Sequence, residues 1–234
     1  MTPDGFRLPT IDYEPPDGPS LYDEWESGSV CSLPPPLSVR SESYRRFIAT
    51  TIQALADHRA SLLSIGSGNG FVEAQLKSQG WNVLATDCKN SALRSCANKG
   101  LRTRRFCLLE DHAFAQFDLI YCDGVFGHLW QPGVNCLAAW KAMAQLGHAG
   151  SLAVISNDLA DDDIAPSLAV RGSPEASFYR PIAGSLAAEA SSTGRWSLET
   201  SNVYEYERWG LPRRREVLVT RLLVDDRIEP KDLL

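Results

Sequence analysis

Residues 62–76 read LLSIGSGNGFVEAQL. Apolar and small residues run into three glycines at alternate positions, Gly66, Gly68 and Gly70, and a helical pattern begins at once. Glycine takes positive φ at no steric cost and lets another molecule touch the backbone. The stretch therefore predicts a buried strand ending at Ile65, a bare turn, and a helix over 69–79 closed by Gly80. In an open α/β sheet a ligand sits beyond the carboxyl ends of the strands, where their order reverses. A helix starting there turns its first N–H groups toward any anionic part of that ligand.

Outward from this turn, strands and helices alternate. WNVLATD (81–87) reads as a strand and NSALRSCANKG (90–100) as a helix closed by Gly100. RTRRFCLLE (102–110) and FDLIYCDG (117–124) are the next strands, 134–146 a helix, and SLAVISND (151–158) a fifth strand. Alternation at this interval predicts a parallel sheet covered on both faces. The end of the chain differs. WSLETSNVYEYERWG (196–210) and REVLVTRLLV (215–224) flank a break at GLP. A connection that short cannot cross over the sheet, so this pair is antiparallel.

Before the first strand, SESYRRFIATTIQALADH (41–58) predicts a helix with Ser41 as N-cap and a stripe of Tyr44, Phe47, Ile48, Ile52 and Leu55. Residues 1–40 hold eight of the fourteen prolines, which excludes long regular helix or central strand. Within them LYDEWESG (21–28) sets Leu21, Tyr22 and Trp25 at helical spacing, so a short docked helix is expected. The expected organisation is a proline-rich arm or lid over 1–40 and a cofactor-binding domain over 41–234.

The 234 residues are 44% apolar and 22% charged with a net charge of −6, the balance of one soluble α/β domain. A net negative chain is a poor general partner for nucleic acid. The six cysteines (31, 88, 96, 107, 122 and 136) show no CxxC spacing and the four histidines do not cluster with them. Neither a structural metal site nor a disulfide framework is expected. With no basic flank before an apolar run and no stretch of membrane-spanning length, the expectation is a cytoplasmic protein with no membrane partner. Oligomeric state stays open.

Seventeen residues beyond Gly70, the second strand ends in Asp87. A carboxylate there can accept hydrogen bonds from both hydroxyls of a ribose, which predicts a nucleoside-containing ligand. The dinucleotide fingerprint is G-x-G-x-x-G. Here the third glycine comes one place early, Phe71 takes its position, and IGSGNG is G-x-G-x-G. This compact loop, with Asp87, FDLIYCDG and the terminal hairpin, resembles the class I S-adenosylmethionine-dependent methyltransferases over about residues 41–224. The resemblance implies a Rossmann-like, mostly parallel seven-stranded sheet with an antiparallel edge hairpin at the C-terminus and helices on both faces. It also implies S-adenosylmethionine as cofactor and methyl transfer to an amine or hydroxyl of a small biosynthetic metabolite.

By the same resemblance, Gly66, Ser67 and Gly68 run past the methionyl part, Asp87 holds the ribose and Cys88 lies near the adenine. Glu110, Asp111 and His112 flank the adenine, and Cys122, Asp123 and Gly124 lie beside the cofactor and the transferred methyl. One position departs from the family. Many members carry an acid two places before the first glycine, where this chain has Ser64; a serine-held water or another carboxylate, with Glu73 as candidate, is expected to substitute.

Methyl transfer needs an acceptor held at near-attack distance and no covalent help, so a sparse catalytic inventory is expected. His128, in CDGVFGHLWQPG (122–133), is read as a general base or as a residue ordering its loop. Asp158 either accepts from an amine or hydroxyl or caps the chain just after the strand it ends. Tyr22, Trp25, Tyr44, Trp130 and Tyr179 are candidate aromatic walls for the substrate and for a sulfonium, with ordinary packing as the competing reading. LADDDIAP (159–166) either steers cations or is a solvated loop, and LPRRRE (211–216) is either a nucleic-acid patch or, as such runs beside a turn usually are, charge protecting a sheet edge. Two other functions stay open: a nicotinamide-dependent oxidoreductase, which lacks a Tyr-x-x-x-Lys pair here, and a non-catalytic cofactor-binding scaffold.

Overall fold

The structure, a computed structural model, describes residues 19–28, 33–161, 166–170, 177–208 and 210–224. The chain enters through a short helix, α1 (Leu21–Ser27), fixed at its start by a reciprocal capping pair between Ser20 and Asp23. Its Leu21, Tyr22 and Trp25 are buried, so the helical spacing in the arm does mark a docked face. After α2 (Leu37–Arg40), Ser41 accepts from the Tyr44 N–H and caps α3 (Glu42–Leu55). Tyr44, Ile48 and Ile52 are fully buried along that helix, each aliphatic side chain worth about 1.5–3 kcal/mol against exposure.

The alternating section continues as β1 (Ser61–Ile65), α4 (Phe71–Ser78), β2 (Asn82–Asp87), α5 (Asn90–Asn98), β3 (Arg102–Arg105) and β4 (Phe117–Asp123). Then come α6 (Phe126–Leu129), α7 (Leu137–Ala144) and β5 (Gly147–Asp158). β6 (Ser167–Val170) and β7 (Ser177–Arg180) pair separately, α8 (Ser185–Ser192) returns the chain, and β8 (Trp196–Arg208) with β9 (Leu211–Leu222) form the terminal hairpin. The small β6/β7 pair and α8 were not anticipated.

The seven-stranded sheet has the order β3-β2-β1-β4-β5-β9-β8, with β1 to β5 parallel and the hairpin antiparallel. This is the Rossmann-like architecture expected. Its order reverses between β1 and β4, which fixes the crevice. Side chains alternate across the strands and feed two cores. Leu62, Val83, Val217 and Val219 pack with α3 and α4 on one face; Leu63, Ile120 and Leu218 pack with Trp140 and Met143 of α7 on the other.

Two boundaries differ from expectation for clear reasons. β3 stops at Arg105 because Phe106, Cys107 and Leu108 leave the strand to bury their side chains, and the Asp111 carboxylate accepts from the Cys107 N–H to close the turn. In the hairpin, β9 lies inside the sheet between β5 and β8, so the edge belongs to β8. The arginines of 213–215 therefore begin an internal strand. The expected division at residue 40 falls just after α2; residues 1–18 and 29–32 of the arm lie outside the described residues.

Candidate active site

A cavity of about 580 Å³ opens along the carboxyl ends of the strands. Its floor at the reversal point is Ile65, Gly66 and Gly68, with Asp87 on one side and Asp123, Gly124 and Val125 on the other. Gly66 has φ +65°, and a Cβ built there would stand 2.3 Å from Val125 Cγ2. The tight passage between the two loops thus requires glycine. Ser67 turns the chain by donating its N–H to the Thr86 carbonyl at 2.9 Å. Its hydroxyl lies 3.4 Å from Cys96 Sγ, so it packs behind the loop rather than on the cavity wall.

Asp87 is 7% exposed and lines the cavity. Its two oxygens accept from the backbone N–H groups of Gly68 (3.0 Å) and Lys89 (2.9 Å). Burial raises its pKa and those N–H donors oppose the rise. Each oxygen keeps a lone pair for a further donor. The carboxylate is therefore pre-aimed at the mouth, and the same bond ties the glycine loop to β2.

Cys88 and Glu110 line the cavity near β3, together with Lys89, Arg105 and Leu108. Asp111 is engaged in the turn that closes after β3, and His112 is exposed away from the wall. Cys122 is a correction too. Along β4 it points opposite to Asp123 and is fully buried in the core with Phe126 and Trp140.

The glycine loop is roofed by α1. Asn69 donates to the Tyr22 carbonyl (2.9 Å) and to Glu26 Oε1 (3.1 Å), and Lys99 pairs with the same Glu26. Tyr22 and Trp25 line the cavity, with their rings edge to face at 5.6 Å. The other three aromatics do not line it. Tyr44 is fully buried under the floor, where its hydroxyl donates to Asp123 Oδ1 (3.0 Å) and lies 2.6 Å from Ser156 Oγ. Trp130 and Tyr179 stack on each other at 5.0 Å, while the neighbouring Phe178, on the opposite face of β7, reaches the cavity. His128 is exposed on the cavity wall, edge to face with that Phe178 ring at 4.8 Å.

Ser64 is not on the wall. Its hydroxyl donates to Glu73 Oε1 at 2.5 Å, and both residues are buried behind the glycine loop. The carboxylate near this position thus comes from α4 instead of β1. Burial pushes the Glu73 pKa up to about 7, against the pull of the Ser64 hydrogen bond. A carboxyl whose folded pKa exceeds its unfolded one, about 4.3, destabilises the fold as pH rises through that window. Glu73→Gln keeps an acceptor for Ser64. The variant should therefore gain stability over the parent as pH rises from about 4.3 to about 7, to a ceiling of about 4 kcal/mol. Urea midpoints at pH 5 and pH 8 test this; an equal difference at both values would refute the assignment.

At the far end of the cavity the sequence pointed to Asp158 and missed its partners. Asp158 and Arg215 face each other across β5 and β9, with Nε 2.7 Å from Asp158 Oδ1. Arg215 Nη1 also holds Asp123 Oδ1 at 2.6 Å, and the Tyr206 hydroxyl donates to Asp158 Oδ1 at 2.9 Å. Burial disfavours the Arg215 charge, but Asp123 and Asp158 outweigh it and hold its pKa well above the ordinary value. Asp158 is thus a bound counter-ion at the floor. Arg40, Tyr206 and Arg208 complete this end of the cavity. Asp161, in the acidic run, pairs with Arg213 and Arg180, and 162–165 lie outside the described residues.

Residues 63–155 match the family described as "Methyltransferase domain". That stretch runs from β1 into β5 and holds the glycine loop, Asp87 and Asp123. S-adenosylmethionine is the cofactor of this methyltransferase domain, and the glycine floor and inward-facing Asp87 fit its nucleoside. Among curated proteins the chain is similar to a "Tabtoxin biosynthesis enzyme" of Pseudomonas amygdali pv. tabaci, 29% identical over 192 residues, covering 81% of this chain and 75% of that one. Among solved structures, a methyltransferase from Methanosarcina mazei aligns with a TM-score of 0.64 at 14% identity, over 74% of this chain and 97% of that one. The 1,6-didemethyltoxoflavin-N1-methyltransferase of Burkholderia thailandensis, solved with 1,6-didemethyltoxoflavin and S-adenosylhomocysteine, aligns at 0.61 and 19% identity, over 78% and 80%. At these identities the solved structures speak to the fold. Among the described residues no helix is long and apolar enough to cross a membrane, and no group of three metal-binding side chains occurs.

Proposed function

We propose that the protein transfers a methyl group from S-adenosylmethionine to an amine or hydroxyl of a small biosynthetic metabolite. The observation that carries this is Asp87, buried and yet presented to the cavity beside Gly66 and Gly68 at the reversal of strand order. Asp87 would accept from the ribose hydroxyls, Cys88 and Glu110 would flank the adenine, and Gly66, Gly68 and Gly124 would leave room for the methionyl chain. The cofactor supplies an electrophilic methyl on a sulfonium. This chain's own part is to hold an acceptor in line, keep water out and remove a proton where the acceptor needs it.

α1 and the segment 33–40 form the roof, which leaves space beneath for a small molecule and supports the reading of residues 1–40 as a lid. The likeness to a tabtoxin biosynthesis enzyme supports a biosynthetic role. The five described cysteines are all free, which agrees with a reducing, cytoplasmic setting.

His128 would take the proton. It is exposed on the cavity wall that Asp123 and Gly124 also line, whereas Asp158 lies between Arg208 and Arg215. His128→Ala should lower kcat by about a hundredfold at neutral pH with cofactor affinity unchanged. An unaltered kcat would remove it from the mechanism. The function itself is tested by incubating the protein with S-adenosylmethionine and metabolite fractions and looking for a mass gain of one methyl group. Tight binding of a nicotinamide cofactor, with none of S-adenosylmethionine, would favour the oxidoreductase instead.

A further inference from the structure

We infer that the acceptor is an anion, a small molecule whose carboxylate sits against Arg40 and Arg208 at the β8 end of the cavity. The inference rests on the methyl-transfer reading and adds the charge class of its substrate.

Position separates this end from the cofactor end. Asp87 ends β2 and the glycine loop comes directly after β1, whereas Arg208 ends β8. Neighbouring strands lie about 4.8 Å apart, so β8, four strands from β1, is about 19 Å away across the sheet. Arg40 belongs to the same end: it donates to the Glu207 carbonyl and its guanidinium lies 5.8 Å from the Tyr206 ring centre. Both arginines line the cavity.

Charge then decides. Among the described residues that line it, the β8 end of the cavity and its floor hold the guanidinium groups of Arg40, Arg208 and Arg215 and the carboxylates of Asp123 and Asp158. Arg215 spans both carboxylates at 2.6 and 2.7 Å. Asp158 must also serve Arg208, at 3.8 Å, and the Tyr206 hydroxyl. Arg40 meets only a neutral carbonyl and a ring; among the described residues no carboxylate pairs with it. Arg208 is only 5% exposed, so an anion that reaches it does so in a dry setting, where opposite charges attract most strongly. A planar acid group matches the guanidinium fork, whereas a cationic amine is repelled. Leu37, Leu129, Phe178 and Tyr206 line the same cavity, which suits a carbon skeleton joining the acid to the methylated atom.

The test uses the full chain saturated with S-adenosylhomocysteine, titrated calorimetrically with phenylacetate and glutarate, and with phenylacetamide and phenethylamine as neutral and cationic counterparts. Carboxylates should bind at least about tenfold tighter than their counterparts. Arg40→Gln and Arg208→Gln should each remove most of that preference while leaving S-adenosylhomocysteine affinity unchanged. Arg40 is exposed, so its variant folds even if that of Arg208 does not. Equal binding of amide and acid, preference for the amine, no carboxylate binding below about 10 mM, or loss of the nucleoside instead of the acid in either variant would overturn the inference. Failure of the unaltered protein to bind S-adenosylhomocysteine would instead overturn the methyl-transfer reading beneath it.

Discussion

Arg215→Met should destabilise the protein by about 3–5 kcal/mol, the cost of leaving buried charges without their partner. Arg215 is 6% exposed and is the link between β9, β5 and β4: it holds Asp158 through Nε and Asp123 through Nη1, and also lies 3.3 Å from the Tyr44 hydroxyl of α3. Methionine fills similar space but leaves Asp123 and Asp158 facing each other across a dry floor. With no cation between them, the two buried carboxylates repel each other. Urea denaturation measures the loss. A loss below about 1 kcal/mol would show that solvent already screens the cluster.

That cluster is also where sequence reading stopped short, and the reason is topological. LPRRRE reads as edge protection because an arginine run beside a turn usually faces water. Only the insertion of β9 between β5 and β8 makes position 215 internal, and strand order within a terminal hairpin is not written in local pattern. Once Arg215 is opposite Asp158, that carboxylate becomes a counter-ion, not a ready acceptor for an incoming amine. The alternation of strand side chains was available and under-used. It separates Cys122 from Asp123, and Tyr179 from Phe178. By contrast the glycine loop and Asp87 were legible because each is a local requirement: positive φ at Gly66 and Gly68, and a carboxylate at the end of the next strand. The docked face of α1 was legible for the same reason, from Leu21, Tyr22 and Trp25 alone. The β6/β7 pair carries little signal because strands of four residues are too short for a period to show.

Asp87 carries the central claim. Its carboxylate is oriented by two backbone N–H groups before any ligand arrives, so ordering it costs nothing at binding. Two hydrogen bonds from ribose hydroxyls to a charged acceptor contribute about 1.5–3 kcal/mol each. Asp87→Ala should then weaken S-adenosylmethionine binding by about 10²- to 10⁴-fold. Part of the loss comes from the glycine loop, which forfeits its tie at Gly68. Asp87→Asn retains an acceptor for one N–H but loses the charge, and should fall between the two. The decisive measurement is calorimetric titration of S-adenosylmethionine into the unaltered protein and Asp87→Ala, with folding of each checked by circular dichroism. The account predicts saturable binding by the first and a loss of at least about a hundredfold in the second, fold intact. Equal affinity in both proteins would contradict it.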